Sequence, residues 1–140
     1  MNERSINIGL LILRIGIGSM FILHGWPKLQ GGLDGWHRLG LNMHYLGINF
    51  LPAFWGFMAM AAEFFGGILL VFGIVVQPAA AFMLFTMLVA AIGNLAQGYG
   101  LEGIVEIIEV SSSLAVLLVV GGGKLAPRLH KGGAEFLREG

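Results

Sequence analysis

The stretch AFWGFMAMAAEFFGGILLVFGIVV, residues 53–76, decides the fold. It follows Pro52 at a helix-starting position, stops at Gln77-Pro78 and carries one charge, Glu63. A run this long and this apolar is enough to cross a bilayer with some tilt. Three other stretches read the same way. Residues 6–23 span roughly 27 Å at 1.5 Å per residue, close to the hydrocarbon thickness, with Arg14 as their only charge. Residues 78–95 carry no charge and close on the polar turn 94–100. Residues 101–120 hold Glu102, Glu106 and Glu109 in their first half, each costly against lipid, and end at the glycine run Gly121-Gly122-Gly123.

Composition supports the same class. Of 140 residues 56% are hydrophobic and 11% charged, far from the balance of a soluble domain, and four spans leave no room for a separate soluble module. The prediction is an all-α integral membrane four-helix bundle, one domain over residues 1–140. Formal net charge is zero and the basic residues form no stripe, so nucleic-acid binding has no electrostatic footprint. There are no cysteines, which removes disulfides, thiolate metal sites and CxxC relays and leaves any redox chemistry to a bound cofactor. Arg14 interrupts the first apolar run, and no small-residue cleavage site follows it, so the run is kept as a span and not read as a signal peptide.

The one long connection, residues 24–52, repeats Trp36, Leu39, Met43 and Leu46 at helical spacing behind Asp34 as N-cap. That predicts a short helix lying in the membrane interface, with Trp36, Tyr45 and Trp55 in the aromatic belt. Arg4, Lys124, Arg128, Lys131 and Arg138 flank the termini, against Lys28 and Arg38 in the long loop, so both termini are predicted to be cytoplasmic.

Counted from the predicted helix ends, Arg14 and Glu63 fall at similar depth on two antiparallel helices, and Glu106 and Glu109 fall near the same layer. The helical step puts Arg14, Gly18, Gly25 and Lys28 on one stripe, Ala59, Ala62, Glu63, Gly66 and Gly67 on one arc, Glu102, Glu106, Glu109 and Ser113 on another stripe, and Met83, Met87 and Asn94 on one side of the third span. Two readings stay open. Arg14 and Glu63 are a buried pair that fixes helix register, or the layer is a ligand site with Arg14, His24 and Lys28 as donors, Glu63, Glu106 and Glu109 as proton acceptors or donors, and Asn94 completing the ring. His37 and His44, seven residues apart, are too far along the chain for one compact metal site, and no histidine pair sits inside two spans as haem ligation needs, so neither metal nor haem is expected. Met20, Met58, Met60, Met83 and Met87 read as packing residues.

Several of these residues recur together in a known pattern: Leu13-Arg14, Gly18, Phe21, His24-Gly25 and Lys28 in and after the first span, Glu63 with Gly66-Gly67 and the run to Gly73 in the second, and a glycine stop after the fourth. With them the chain resembles the DoxX family of small four-helix membrane proteins over residues 10–123. It departs in lacking a Gly-Pro-Gly stop and in having Gln77 where a basic residue is frequent, which weakens the topology signal. The resemblance implies a prokaryotic cytoplasmic (inner) membrane protein, with some relatives serving as subunits of a thiosulfate:quinone oxidoreductase and others linked to redox stress. The expected function is a subunit of a quinone-linked oxidoreductase, with quinone as the cofactor and a soluble redox partner or a second copy as partner. The alternatives are a non-enzymatic binding or transport protein for a small hydrophobic or anionic molecule, and a structural anchor for a soluble redox protein.

Overall fold

The computed structural model describes residues 2–127. Its elements are α1 Glu3–Gln30, α2 Gly32–Gly40, a 3-10 helix Leu41–Leu46, α3 Pro52–Phe72, α4 Val76–Ala96 and α5 Glu102–Val120. Helices α1, α3, α4 and α5 are long and apolar enough to cross a membrane, which gives the four-helix membrane bundle its up-down-up-down course. In that course α1 packs on α3, α3 on α4 and α4 on α5, while α1 and α5 touch only lightly. Leu10, Phe21, Leu70, Met83, Leu114 and Leu117 form the buried centre. The bundle returns the chain to the side where it began: the Lys124 backbone N–H donates to Asn7 Oδ1 at 2.7 Å, and Lys124 Nζ lies 2.6 Å from Glu3 Oε2. Arg128, Lys131 and Arg138, which carried most of the orientation argument, lie outside the described residues.

Helix α1 runs seven residues past the predicted end at residue 23 and contains Pro27. Proline removes one backbone N–H from the ladder, but the last turn is held from outside. The Gly31 N–H donates to the Pro27 carbonyl at 3.0 Å and the Trp36 indole N–H to the Lys28 carbonyl at 2.9 Å. At the other end of the bundle α3 stops four residues earlier than predicted, because Gly73 takes φ +76° and its N–H and that of Ile74 close on the carbonyls of Leu70 and Leu69. This left-handed glycine cap lies inside an unbroken apolar run, so hydropathy alone passed over it.

The predicted interfacial helix exists in two pieces, α2 and the 3-10 turn, and Asp34 lies within α2 instead of capping it. Its backbone sits directly on the start of α3. A methyl group on Gly40 would overlap the Pro52 carbonyl, and one on Gly56 the Trp36 carbonyl. The α1–α3 seam is equally close: a Cβ placed on Gly18 would stand 2.6 Å from the Gly67 carbonyl oxygen, and one on Gly25 2.8 Å from the Phe64 Cα. The small-residue faces read from the sequence therefore do bring α1 and α3 together.

Candidate functional site

Close packing of Gly18 on Gly67 and of Gly25 on Phe64 fixes the register of α1 against α3, and with it the partner of Glu63. That partner is Lys28: its Nζ contacts Glu63 Oε2 as both an ion pair and a hydrogen bond. Glu63 is 4% exposed, on the inner face of α3, whereas the Lys28 side chain keeps a third of its surface accessible. Arg14 is not beside Glu63. It lies against Gly73 and Gly122, at the C-terminal ends of α3 and α5, and Gly73 is ten residues, about 15 Å, along α3 from Glu63. The depth match between Arg14 and Glu63 fails because α1 extends through the polar His24–Lys28 segment, so depth counted from residue 23 was short by about two turns.

At its actual position Arg14 is 1% exposed, and its Nε and Nη1 have no hydrogen-bond partner among the described residues. The C-terminal ends of α3 and α5 meet there, and the negative ends of their helix dipoles favour a cation.

The Lys28–Glu63 pair stands between two cavities. The first, about 150 Å³, lies under α2 and the 3-10 turn and between α3 and α4. Its walls are almost wholly apolar, with Met43, Met58, Ala59, Ala62, Phe82 and Phe85 prominent, and its polar groups are Lys28, Glu63, Asn42, Thr86 and Trp55. Trp55 packs edge-on against Phe50 and Phe54, and its buried indole N–H has no acceptor among the described residues. The second cavity, about 180 Å³, occupies the loose α1–α5 side and is lined by Met20, Met87, His24 and Glu106 as well as by Lys28 and Glu63. His24 Nδ1 is 3.1 Å from the Met20 carbonyl oxygen, a contact that makes Nδ1 the donor and turns Nε2 towards Glu106, 3.7 Å away. His24 and Glu106 are both exposed.

Of the seven residues singled out from the sequence, His24, Lys28, Glu63 and Glu106 thus line one cavity. Arg14 lies elsewhere. Asn94 donates from Nδ2 to the Gly103 carbonyl at 2.8 Å, which ties the end of α4 to the start of α5, and lines neither cavity. Glu109 points outward from α5 and also lines neither; its backbone carbonyl accepts hydrogen bonds from Ser112 and Ser113. Trp55, Asn42 and Thr86 escaped the sequence reading. Trp55 falls at i, i+4, i+8 with Ala59 and Glu63, a spacing that places it on the Glu63 face and that the aromatic-belt reading ignored. Asn42 and Thr86 gave no local signal.

Comparison with known proteins adds the family context. The DoxX family model matches residues 9–97. The chain is similar to CatD of Bacillus subtilis (strain 168), whose name reads "Putative oxidoreductase", at 32% identity over 90 residues, 64% of this chain and 62% of that protein. It is also similar to the "Inner membrane protein" YqjF of Escherichia coli (strain K12), at 27% identity over 120 residues, 84% of this chain and 87% of that protein. The chain thus spans somewhat under two thirds of the first relative's length. No solved structure matches it.

Proposed function

The chain belongs to the DoxX family, and on that premise we propose that it is a subunit of a quinone-linked oxidoreductase in a prokaryotic cytoplasmic membrane, with Lys28 and Glu63 as the centre of its ligand and proton site. The observation that carries this reading is the position of the pair: a buried carboxylate and its ammonium partner line both an apolar cavity under α2 and a second cavity that reaches exposed polar groups. Buried charge in a membrane helix is expensive and tends to mark a substrate, ion or proton path.

The donor set fits a quinone. The first cavity offers apolar walls for a ring, the Lys28 ammonium for a carbonyl oxygen and an indole N–H that lacks an acceptor. A quinone, when bound, supplies a two-electron, two-proton couple, with the electrons exchanged with a soluble redox partner. The chain's own part is to orient the ring, keep water from it and pass protons. Glu63 is placed to exchange a proton across the wall, and His24 and Glu106 to exchange it with the outer water. Arg14, Asn94 and Glu109 have no part in this route.

The anion-transport alternative is less well supported, because Lys28 is already neutralised by Glu63 and the first cavity is nearly all apolar. The name of one relative gives an oxidoreductase and that of the other an inner membrane protein. The test is solvent extraction of the purified protein followed by mass spectrometry. Quinone should be recovered from the wild type and be depleted in a Glu63→Leu, Lys28→Met double variant; a wild-type protein free of quinone that also shows no absorbance change with added quinol would defeat the reading.

A further inference from the structure

A third cavity, about 200 Å³, runs along the α3–α4 seam and shares Met58, Ala62 and Phe82 with the first one. Its other walls are Ala61, Phe65, Gly66, Leu69 and Ala79, so along α3 it extends from residue 58 to residue 69, about 16 Å towards the α3 C-terminus. Phe65 and Phe82 are exposed, which opens this groove to the lipid side of the bundle. It carries no charged side chain. The first cavity differs in lying under α2 and the 3-10 turn and in being supplied with hydrogen-bonding groups.

From these two adjoining volumes we infer that the α2–α3–α4 side of the bundle is a head-and-tail site for a single-ring carbonyl compound bearing an alkyl or isoprenoid chain, with the Trp55 indole N–H as its carbonyl donor. Size supports the ring: apolar cavities of about 150 Å³ accept a benzene-sized molecule, and the cavity under α2 has that volume. Polarity supports the carbonyl. Trp55 is a cavity wall whose buried indole N–H has no acceptor among the described residues, and a turn of the indole would offer that N–H to an oxygen placed in the cavity. Shape supports the tail, because an apolar groove between small residues and two phenylalanines adjoins the ring chamber on the lipid side, with Met58, Ala62 and Phe82 common to both. In this arrangement the ring touches the Lys28–Glu63 wall from one side while His24 and Glu106 lie on the other, so ligand and water approach the pair from opposite faces.

The inference rests on the quinone reading for the chemical class of the ring, but its test is a binding measurement that needs no turnover, so either can fail alone. The full chain, labelled at the methionine methyl groups and held in bicelles of fixed lipid content, is titrated with para-decylacetophenone, with acetophenone, and with the decyl hydrocarbon that lacks the carbonyl. Met43 and Met58 report on the first cavity, Met20 and Met87 on the Glu106 side, and fully buried Met83 on the fold. The tailed ketone should shift Met43 and Met58 and leave Met20 and Met87 in place. Its affinity, corrected for partitioning into lipid, should be at least tenfold above that of acetophenone, and should fall about tenfold in Trp55→Phe and in Ala61→Phe. The hydrocarbon should bind weakly and ignore Trp55→Phe. Equal affinity of tailed and tailless ketone would assign the chamber to a free small molecule and overturn the tail site. Equal affinity of ketone and hydrocarbon would mean that a lipid chain simply fills the space, and shifts confined to Met20 and Met87 would put the ligand in the other cavity. The comparison of probes on the wild type stands even if a variant fails to fold.

Discussion

Lys28 reaches Glu63 from the C-terminal end of α1, so a carboxylate buried in the middle of α3 is neutralised by an ammonium that keeps a third of its side chain accessible. The two partners are therefore unequal. Lys28→Met strands a buried carboxylate and should cost about 3 kcal/mol, whereas Glu63→Leu leaves a lysine that can turn outward and should cost about 1 kcal/mol. Replacing both should recover most of the larger loss. Thermal unfolding of the three variants in detergent checks this, and a Lys28→Met variant no less stable than Glu63→Leu would contradict the asymmetry.

Arg14 should behave independently of Glu63. With about 15 Å between their levels and no shared neighbour, Arg14→Met and Glu63→Leu should combine additively, to within about 0.5 kcal/mol. A coupling as large as that of Lys28 with Glu63 would mean that the α1–α3 register is wrong.

How far the site was legible follows from what each signal measures. Hydropathy and proline positions located four spans to within a few residues wherever a polar turn ended them. They overran at Gly73, where the stop is conformational, and fell short at residue 23, where an amphipathic end continues as helix. Small-residue stripes identified the contacting faces of α1 and α3 but not their register, which depends on which glycine meets which carbonyl. An error of two turns was enough to give Glu63 the wrong cation. His24, Lys28 and Glu106 lie near Glu63 because the last turns of α1 and the first turns of α5 meet the middle of α3. The chamber under α2 was not legible at all, since its roof depends on the contacts of Gly40 with Pro52 and of Gly56 with Trp36, and these are long-range facts.

The seam itself makes a steric prediction. Gly18→Val places a branched side chain where even a Cβ meets the Gly67 carbonyl, and backbone cannot move aside as a flexible side chain can. It should destabilise by about 1–3 kcal/mol, while Gly16→Ala on the same helix, where nothing lies within 4 Å of the new carbon, should be neutral. Comparison of their melting temperatures decides it.

Trp36 links the covering helix to the backbone of Lys28. Its indole N–H satisfies the Lys28 carbonyl, and its ring packs edge-on against Phe57, 5.1 Å between centroids. Trp36→Phe keeps most of the ring contact and removes the hydrogen bond, for an expected loss of about 1 kcal/mol. Because the bond caps the last turn of α1, amide hydrogen exchange should quicken around Gly31 and Gly35 and stay unchanged at the α1–α3 seam; uniform acceleration would point to global destabilisation instead.

His24 and Glu106 offer the clearest separation of stability from function. Their side chains are 55% and 73% exposed and 3.7 Å apart, so the pair is worth less than about 1 kcal/mol to the fold. His24→Gln and Glu106→Gln should each melt close to the wild type. If the pair joins Glu63 to the outer water, both variants should nonetheless slow proton uptake coupled to quinone reduction, by about tenfold or more given the usual contribution of a positioned proton-transfer group. The measurement is proton uptake in proteoliposomes with a pH-sensitive dye, driven by added reductant in the presence of a water-soluble benzoquinone. Glu109→Gln serves as the control, since that carboxyl is exposed on the same helix but lines neither cavity. Slowing by His24→Gln and Glu106→Gln but not by Glu109→Gln assigns the route to the second cavity. Equal slowing by all three would show only a general loss of surface carboxylates and polar groups, and no slowing by any would remove that cavity from the proton path.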